Sequence, residues 1–253
     1  MALFLGAKGD ILAWRGTSEL VAGLKEMLAD KIASLSANDE LELLHGALEK
    51  LAGELAFEKD FSARFDEALY DLERATSQDL LPPLHVRFNS LAADYFKRRG
   101  SVLALHTLCN AYRDGLVRKA LAIAEQGMSL ELLSNPPAPY SLLAAGVAGR
   151  QEQTISIAAD YFFVYENGDP DTATYFRQFS YRVMAILDGS GLLSGRRRKK
   201  PGDTFWHGSL AEWRQWIDRG LHPESAPSRL IHFRIVMNRS AIDSRPTYRL
   251  LAA

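Results

Sequence analysis

The 253-residue sequence has a single cysteine, Cys109, which excludes an internal disulfide and any multi-cysteine zinc site. Neither sign of charge is in excess, since 30 basic residues face 31 acidic ones for a formal net charge of -1. That balance argues against broad electrostatic capture of nucleic acid or an anionic membrane, and neither is expected as a partner. Long apolar runs are lacking too. The opening "MALFLGAKGDILAW" is too short to span a bilayer and has no cationic leader before it, which predicts a cytoplasmic protein. The six histidines are scattered, with no pair at ligand spacing on a helix, so they predict no metal site of their own. What is present, 47% hydrophobic and 24% charged residues, is the composition of a globular chain with one large domain or two modest ones.

From about Thr17 to Met128 the apolar residues fall at helical spacing. Leu41, Leu44, Leu48, Leu51 and Leu55 form one stripe, and Phe61, Phe65, Ala68 and Leu72 a second. A third, Leu84, Phe88, Leu91 and Tyr95, is entered through Pro82-Pro83. Gly100 stops that helix and Ser101 caps the next, whose stripe is Val102, Leu105, Cys109, Tyr112, Leu116, Ala120 and Ile123. With one more over residues 18–35, five helices are expected, antiparallel because their links are short. Their interior is predicted to hold Leu44, Leu48, Leu51, Phe88, Leu105 and Tyr112, with Cys109 a buried, inert thiol.

At "SNPPAPYS", residues 134–141, the pattern changes. Three prolines mark a boundary, dividing a helical bundle at 1–137 from a second domain at 138–253. Two runs of strand length follow, Leu142 to Val147 and the aromatic, β-branched Tyr161 to Tyr165. A helix after "GDPDTAT" carries Tyr175, Phe176, Phe179, Val183, Ile186 and Leu187, and a third strand is expected at Leu230 to Met237. Helices followed by a small mixed sheet predict an α+β fold.

Between the first two strands lies "AAGVAGRQEQTISIAADYFFVY", residues 144–165. A small-residue run, Ala144-Ala145-Gly146, meets Gly149-Arg150, and a strand follows with one acid, Asp160, at its mouth. In order and spacing Gly146, Gly149, Arg150, Glu152, Gln153, Thr154 and Asp160 resemble a known pattern: Gly-Ser-x-Gly-Arg-x-Glu-Gln-Thr, then Asp-x-Asp and an apolar strand. It belongs to the nucleotidyltransferases of bacterial signalling proteins that carry CBS and cyclic-nucleotide-binding domains. These are relatives of the uridylyltransferase that modifies the PII nitrogen-regulatory protein. "NAYRDGLVRKALAIAE" (110–125) is similar to the family's helix before the core, and "FWHGSLAEWRQWI" (205–217) to its Trp-x-x-Ser-Leu-x-x-Trp segment. "LIHFR" (230–234) is similar to its closing strand, so the likeness covers roughly residues 100–240.

The resemblance implies a polymerase-β-type, nucleotidyltransferase-like sheet with flanking helices. It implies transfer of a nucleoside monophosphate from a nucleoside triphosphate, with a protein hydroxyl as an acceptor and Mg2+ as cofactor. A nucleoside triphosphate and a protein are the partners expected. Gly146, Gly149, Arg150 and Glu152 would then form the phosphate-binding turn, with Asp160 the residual catalytic and metal-binding acid. Arg150 has a second reading, as a brace for Glu152 within the loop. Relatives often carry their regulatory domains in front, so regulation of this chain is expected from the helical half or a partner.

Three departures fall on residues that do chemistry: Val147 stands for the family serine, Ala158 for the first acid of Asp-x-Asp, and His232 for the acid of the closing strand. Two magnesium ions about 3.5–4 Å apart would clamp the attacking and leaving oxygens of such a transfer. Two acids one residue apart on a strand face the same side and can share both ions. Ala158 offers no ligand, and Val147 no hydroxyl for a phosphate. Asp169 and Asp171, in a Pro-containing turn, read better as a solvated helix start than as substitutes, and Asp243 is a weaker replacement. "GRRRKK" (195–200) reads as a solvated loop, His232 as a core histidine, and Trp206, Trp213 and Trp216 as packing of the last helix. The residues therefore predict a catalytically degenerate member acting in signalling or regulation. An active enzyme with an altered metal site and a pure interaction scaffold are the alternatives, and whether the chain is an enzyme stays open at this stage.

Overall fold

The computed structural model describes residues 37–130, 135–155, 160–166, 170–192, 207–220 and 233–238. The helix expected over 18–35 lies outside them, as do Ala158, Asp169, residues 195–200, Trp206, His232 and Asp243. In chain order the elements are α1 (Ala37–Arg74), α2 (Leu81–Arg99), α3 (Val102–Leu130), β1 (Tyr140–Ala145), α4 (Gly146–Gly149, a single turn), β2 (Asp160–Tyr165), α5 (Pro170–Gly189), β3 (His207–Ser209), α6 (Leu210–Gly220) and β4 (Phe233–Asn238). Helices thus precede and flank a four-stranded sheet of order β3-β2-β1-β4, an α+β fold as the patterning predicts.

Two expected helices are one. The stripes at Leu41–Leu55 and Phe61–Leu72 both lie on α1, which runs unbroken for 38 residues. Ala56 to Asp60, between the stripes, contain neither glycine nor proline, so nothing interrupts the hydrogen-bond ladder there. Leu55, at 47% exposure, stays on the solvent side, and Leu51 is half-buried. The side chains of Leu44 and Leu48 lie outside the described residues.

The chain forms two compact units. One ends at Asp71 and resumes from Arg87 to Leu108, and the other takes Leu72–Val86 and the described residues from Cys109 onward. In the first unit Phe57, Phe61 and Phe65 stand four residues apart on α1, with neighbouring ring centroids 6.3 Å apart. Tyr95 of α2 lies 4.1 Å from the Phe61 ring and Phe88 lies 6.2 Å from Phe65. The buried Arg99 side chain pairs with Glu54 and the buried Glu58, and its guanidinium lies 4.5 Å from the Phe57 ring. Burial raises the Glu58 carboxyl above its ordinary range against the attraction of Arg99. At Glu54 burial acts the same way, but Arg99 and Arg98 outweigh it and the carboxyl ends below its ordinary value.

The break between α2 and α3 is built as the sequence indicates. Gly100 takes φ +65° and donates its N–H to the Phe96 carbonyl at 2.7 Å. Ser101 Oγ then accepts the N–H of Ala104 at 3.3 Å, capping α3. Val102, expected on the buried stripe, is exposed, because the cap places it in the first turn off that face. Leu105, Cys109, Tyr112, Leu116 and Ala120 are buried, and Phe88 with them. Burial pushes the Cys109 thiol up to about 11, which keeps it protonated and unreactive.

In the second unit β1 pairs antiparallel with both β2 and β4, while β2 runs parallel to β3. The parallel pair is joined through α5, as a parallel connection requires a crossover. Period-two alternation divides β2. Phe163 and Tyr165 meet Phe179 and Phe176 of α5, with centroids 5.3 Å and 4.4 Å apart. Phe162 and Val164 join Leu143, Leu210 and Trp213 in a second apolar cluster. The Trp213 indole N–H donates to the Phe163 carbonyl at 3.2 Å. Trp213 is thus a packing residue, as expected, whereas the Trp216 side chain lies outside the described residues.

β3 is a strand that the patterning misses, because three residues are too short to show alternation. Its neighbour α6 opens on a reciprocal cap: the Ser209 N–H donates to Glu212 Oε2 at 2.7 Å, and the Glu212 N–H to Ser209 Oγ at 3.3 Å. The Ser-x-x-Glu spacing of "SLAE" is the sequence signal for that capping box.

A candidate nucleotide site at the β1–β2 turn

β1 is buried along its whole length, and it ends where Gly146 takes φ +60°. A side chain at that position would meet nothing within 4 Å, so glycine is required by the backbone rather than by crowding. Gly146–Gly149 form the single turn α4, and the Arg150 N–H donates back to the Gly146 carbonyl at 3.0 Å. The Glu152 N–H donates to the Val147 carbonyl at 2.7 Å. An anion cradle made from the amides of residues 146–150 therefore loses Arg150, whose N–H is already used inside the turn. Gln151 also adopts a left-handed conformation, φ 59°, unusual for a residue with a side chain.

The strand that follows returns beside the first. In the β1–β2 register Asp160 pairs with Ala145, the residue immediately before Gly146. The turn therefore lies between adjacent antiparallel strands, and the acid position opens the second of them. The side chain of Asp160 lies outside the described residues. Asp171 is in the first turn of α5 and exposed, a solvated helix start.

Arg150 and Glu152 meet each other: Nε lies 2.8 Å from Oε2, with both side chains largely exposed. The bracing interaction is the one formed. Glu152 is thus engaged by Arg150, and no three of His, Cys, Asp and Glu are gathered among the described residues, which do not include the Asp160 side chain.

Beneath the loop lie polar residues that patterning does not single out as functional. Asn110 and Arg113 of α3 are 7% and 2% exposed, and Gln153 is 0% exposed. Asn110 Nδ2 donates to the Gln151 carbonyl. Arg113 donates through Nη2 to the Ile155 carbonyl at 2.8 Å and through Nη1 to Gln153 Oε1 at 3.5 Å. Burial lowers the Arg113 pKa. It also lowers that of His85, together with repulsion from Arg113, to about 4. His85 stacks on Tyr112 at 6.0 Å. A signal for this layer was present in "CNAYRDG", where two polar residues three apart run beside the apolar stripe of Cys109 and Tyr112.

Residues 86–226, more than half of the chain, match the family described as putative nucleotidyltransferase DUF294, and the chain belongs to that family. The match takes in α3, the glycine turn, β2 and α6, and stops before the segment similar to a closing strand, of which Phe233 and Arg234 open β4. No curated protein matches the chain. No helix among the described residues is long and apolar enough to cross a membrane.

Proposed function

We propose that this nucleotidyltransferase-like chain binds a nucleoside triphosphate at the Gly146–Gly149 turn but transfers its nucleotidyl group poorly or not at all, acting as a regulatory protein. The observation that carries the reading is the pairing of Asp160 with Ala145, which brings the one acid position of β2 beside a glycine turn. A phosphate-binding layout is kept there, while Val147 and Ala158 stand where the related pattern has a hydroxyl and a second carboxylate. Transfer to or from phosphorus depends mostly on positioning and charge neutralisation. A site with its loop intact and its acids depleted is suited to recognition rather than turnover. By likeness to uridylylation of PII, the partner is a signalling protein, which in an active relative would be the acceptor.

The test is calorimetric titration with ATP, UTP, GTP and CTP, with and without Mg2+, followed by incubation with each labelled nucleotide and cell extract as a source of acceptors. Binding without label transfer is expected. Family membership favours a second reading, an active enzyme with an altered metal site. Robust transfer abolished in Asp160→Ala would establish that reading and overturn ours. Neither binding nor transfer would leave a protein-interaction scaffold.

A further inference from the structure

The α3 side chains under the loop reach three alternate residues of one segment. Asn110 takes the Gln151 carbonyl, and Arg113 takes the Gln153 side chain and the Ile155 carbonyl. A helix that needed only to bury this face would carry apolar residues there, as it does at Leu116 and Leu121. Placing a guanidinium at 2% exposure is unfavourable unless its N–H groups are satisfied by fixed acceptors. The forked donor geometry of arginine suits two acceptors held at set positions, which a single ammonium would not reach together. The Gln151 carbonyl belongs to the residue with φ 59°, so the Asn110 amide holds the chain where its backbone is least comfortable.

We infer that Asn110 and Arg113 are positioning residues of the nucleotide site. They clamp residues 151–155, the link between the glycine turn and the segment leading into β2. The turn amides are thereby preset before a nucleotide arrives. This rests on the reading of the turn as a phosphate cradle. Such presetting lowers the ordering cost of binding, so its loss weakens affinity without removing any group that touches the ligand.

The test uses the full chain and the variants Asn110→Ala, Arg113→Met and Arg113→Lys, with hydrogen exchange read by mass spectrometry and nucleotide affinity read by calorimetry. Amides of residues 146–155 are expected to exchange at least about tenfold faster in Asn110→Ala and Arg113→Met, while those of β1 keep their protection. Affinity for the bound nucleoside triphosphate should fall about tenfold or more in both, and Arg113→Lys should restore little of it. Asn110→Ala, the smaller lesion, decides the matter if Arg113→Met does not fold. Lower thermal stability with unchanged loop exchange and affinity would make these residues simple core supports and overturn the inference. Full recovery in Arg113→Lys would assign the effect to charge and overturn it as well. A wild-type chain that binds no nucleotide would overturn the cradle reading and the site role together. Exchange still separates those failures, because acceleration confined to the loop would uphold the clamp alone.

Discussion

Asp160 and Ala145 are partners in the antiparallel register of β2 and β1, so the acid position of the second strand lies level with the residue that leads into Gly146. Restoring a second acid two positions earlier should therefore act on the same site. Ala158→Asp is expected to tighten Mg2+-dependent binding of the nucleoside triphosphate by roughly tenfold, and Asp160→Asn to abolish the Mg2+ dependence. Titrations with and without Mg2+ read both. Ala158→Asp alone should bring little transfer, since losing one preorganised charge-stabilising group costs about a hundred- to a thousand-fold in rate, and Val147 would remain.

The turn is held by backbone conformation at two positions. Gly146→Ala should destabilise by about 1–2 kcal/mol, because open space around its Cβ leaves the left-handed backbone as the sole penalty. Gln151→Val should cost at least as much, being branched at a position with φ 59°, whereas Gln151→Gly should be nearly neutral. Urea midpoints of the three variants, compared at constant m, check this ordering.

His85 makes stability depend on pH. Its folded pKa of about 4 lies below the ordinary 6.5, so the unfolded chain binds the proton more readily. The stability contributed by keeping this ring neutral is present above about pH 6.5 and is lost as pH falls toward about 4. The loss is up to about 3 kcal/mol. His85→Phe, which preserves a ring against Tyr112, should flatten that part of the profile. Denaturant titrations between pH 4 and 7 measure it, and equal slopes in the two proteins would show that other groups set the dependence.

Arg99 holds two carboxylates in the helical unit. Arg99→Met should destabilise by about 3–5 kcal/mol, since Glu58 would be left buried beside Glu54 without their shared cation. Glu58→Gln should cost far less. The raised folded pKa of Glu58 means that its contribution is already lost as pH rises through that value, and the amide removes this loss. The double variant Arg99→Met, Glu58→Leu should recover most of the stability of the single one. Thermal unfolding of the wild type, Arg99→Met, Glu58→Leu and the double variant gives the coupling energy directly.

What the sequence determined by itself was what depends on neighbours along the chain. Helical stripes, the Gly100–Ser101 stop and cap, the strand character of Tyr161–Tyr165 and the glycine turn all follow from spacing or from the backbone demands of single residues. The aromatic face of α5, from Tyr175 to Leu187, was legible for the same reason. Tertiary structure decided the rest, because it depends on which distant segments share a layer. Nothing local shows that three residues at His207–Ser209 become a strand once β2 offers an edge. That Arg150 meets Glu152 likewise depends on the turn conformation between them. Asn110 and Arg113 carry no local sign of a role. They acquire a role only when a loop some forty residues later returns over them, since a buried polar group is stable only where the folded chain supplies its partners.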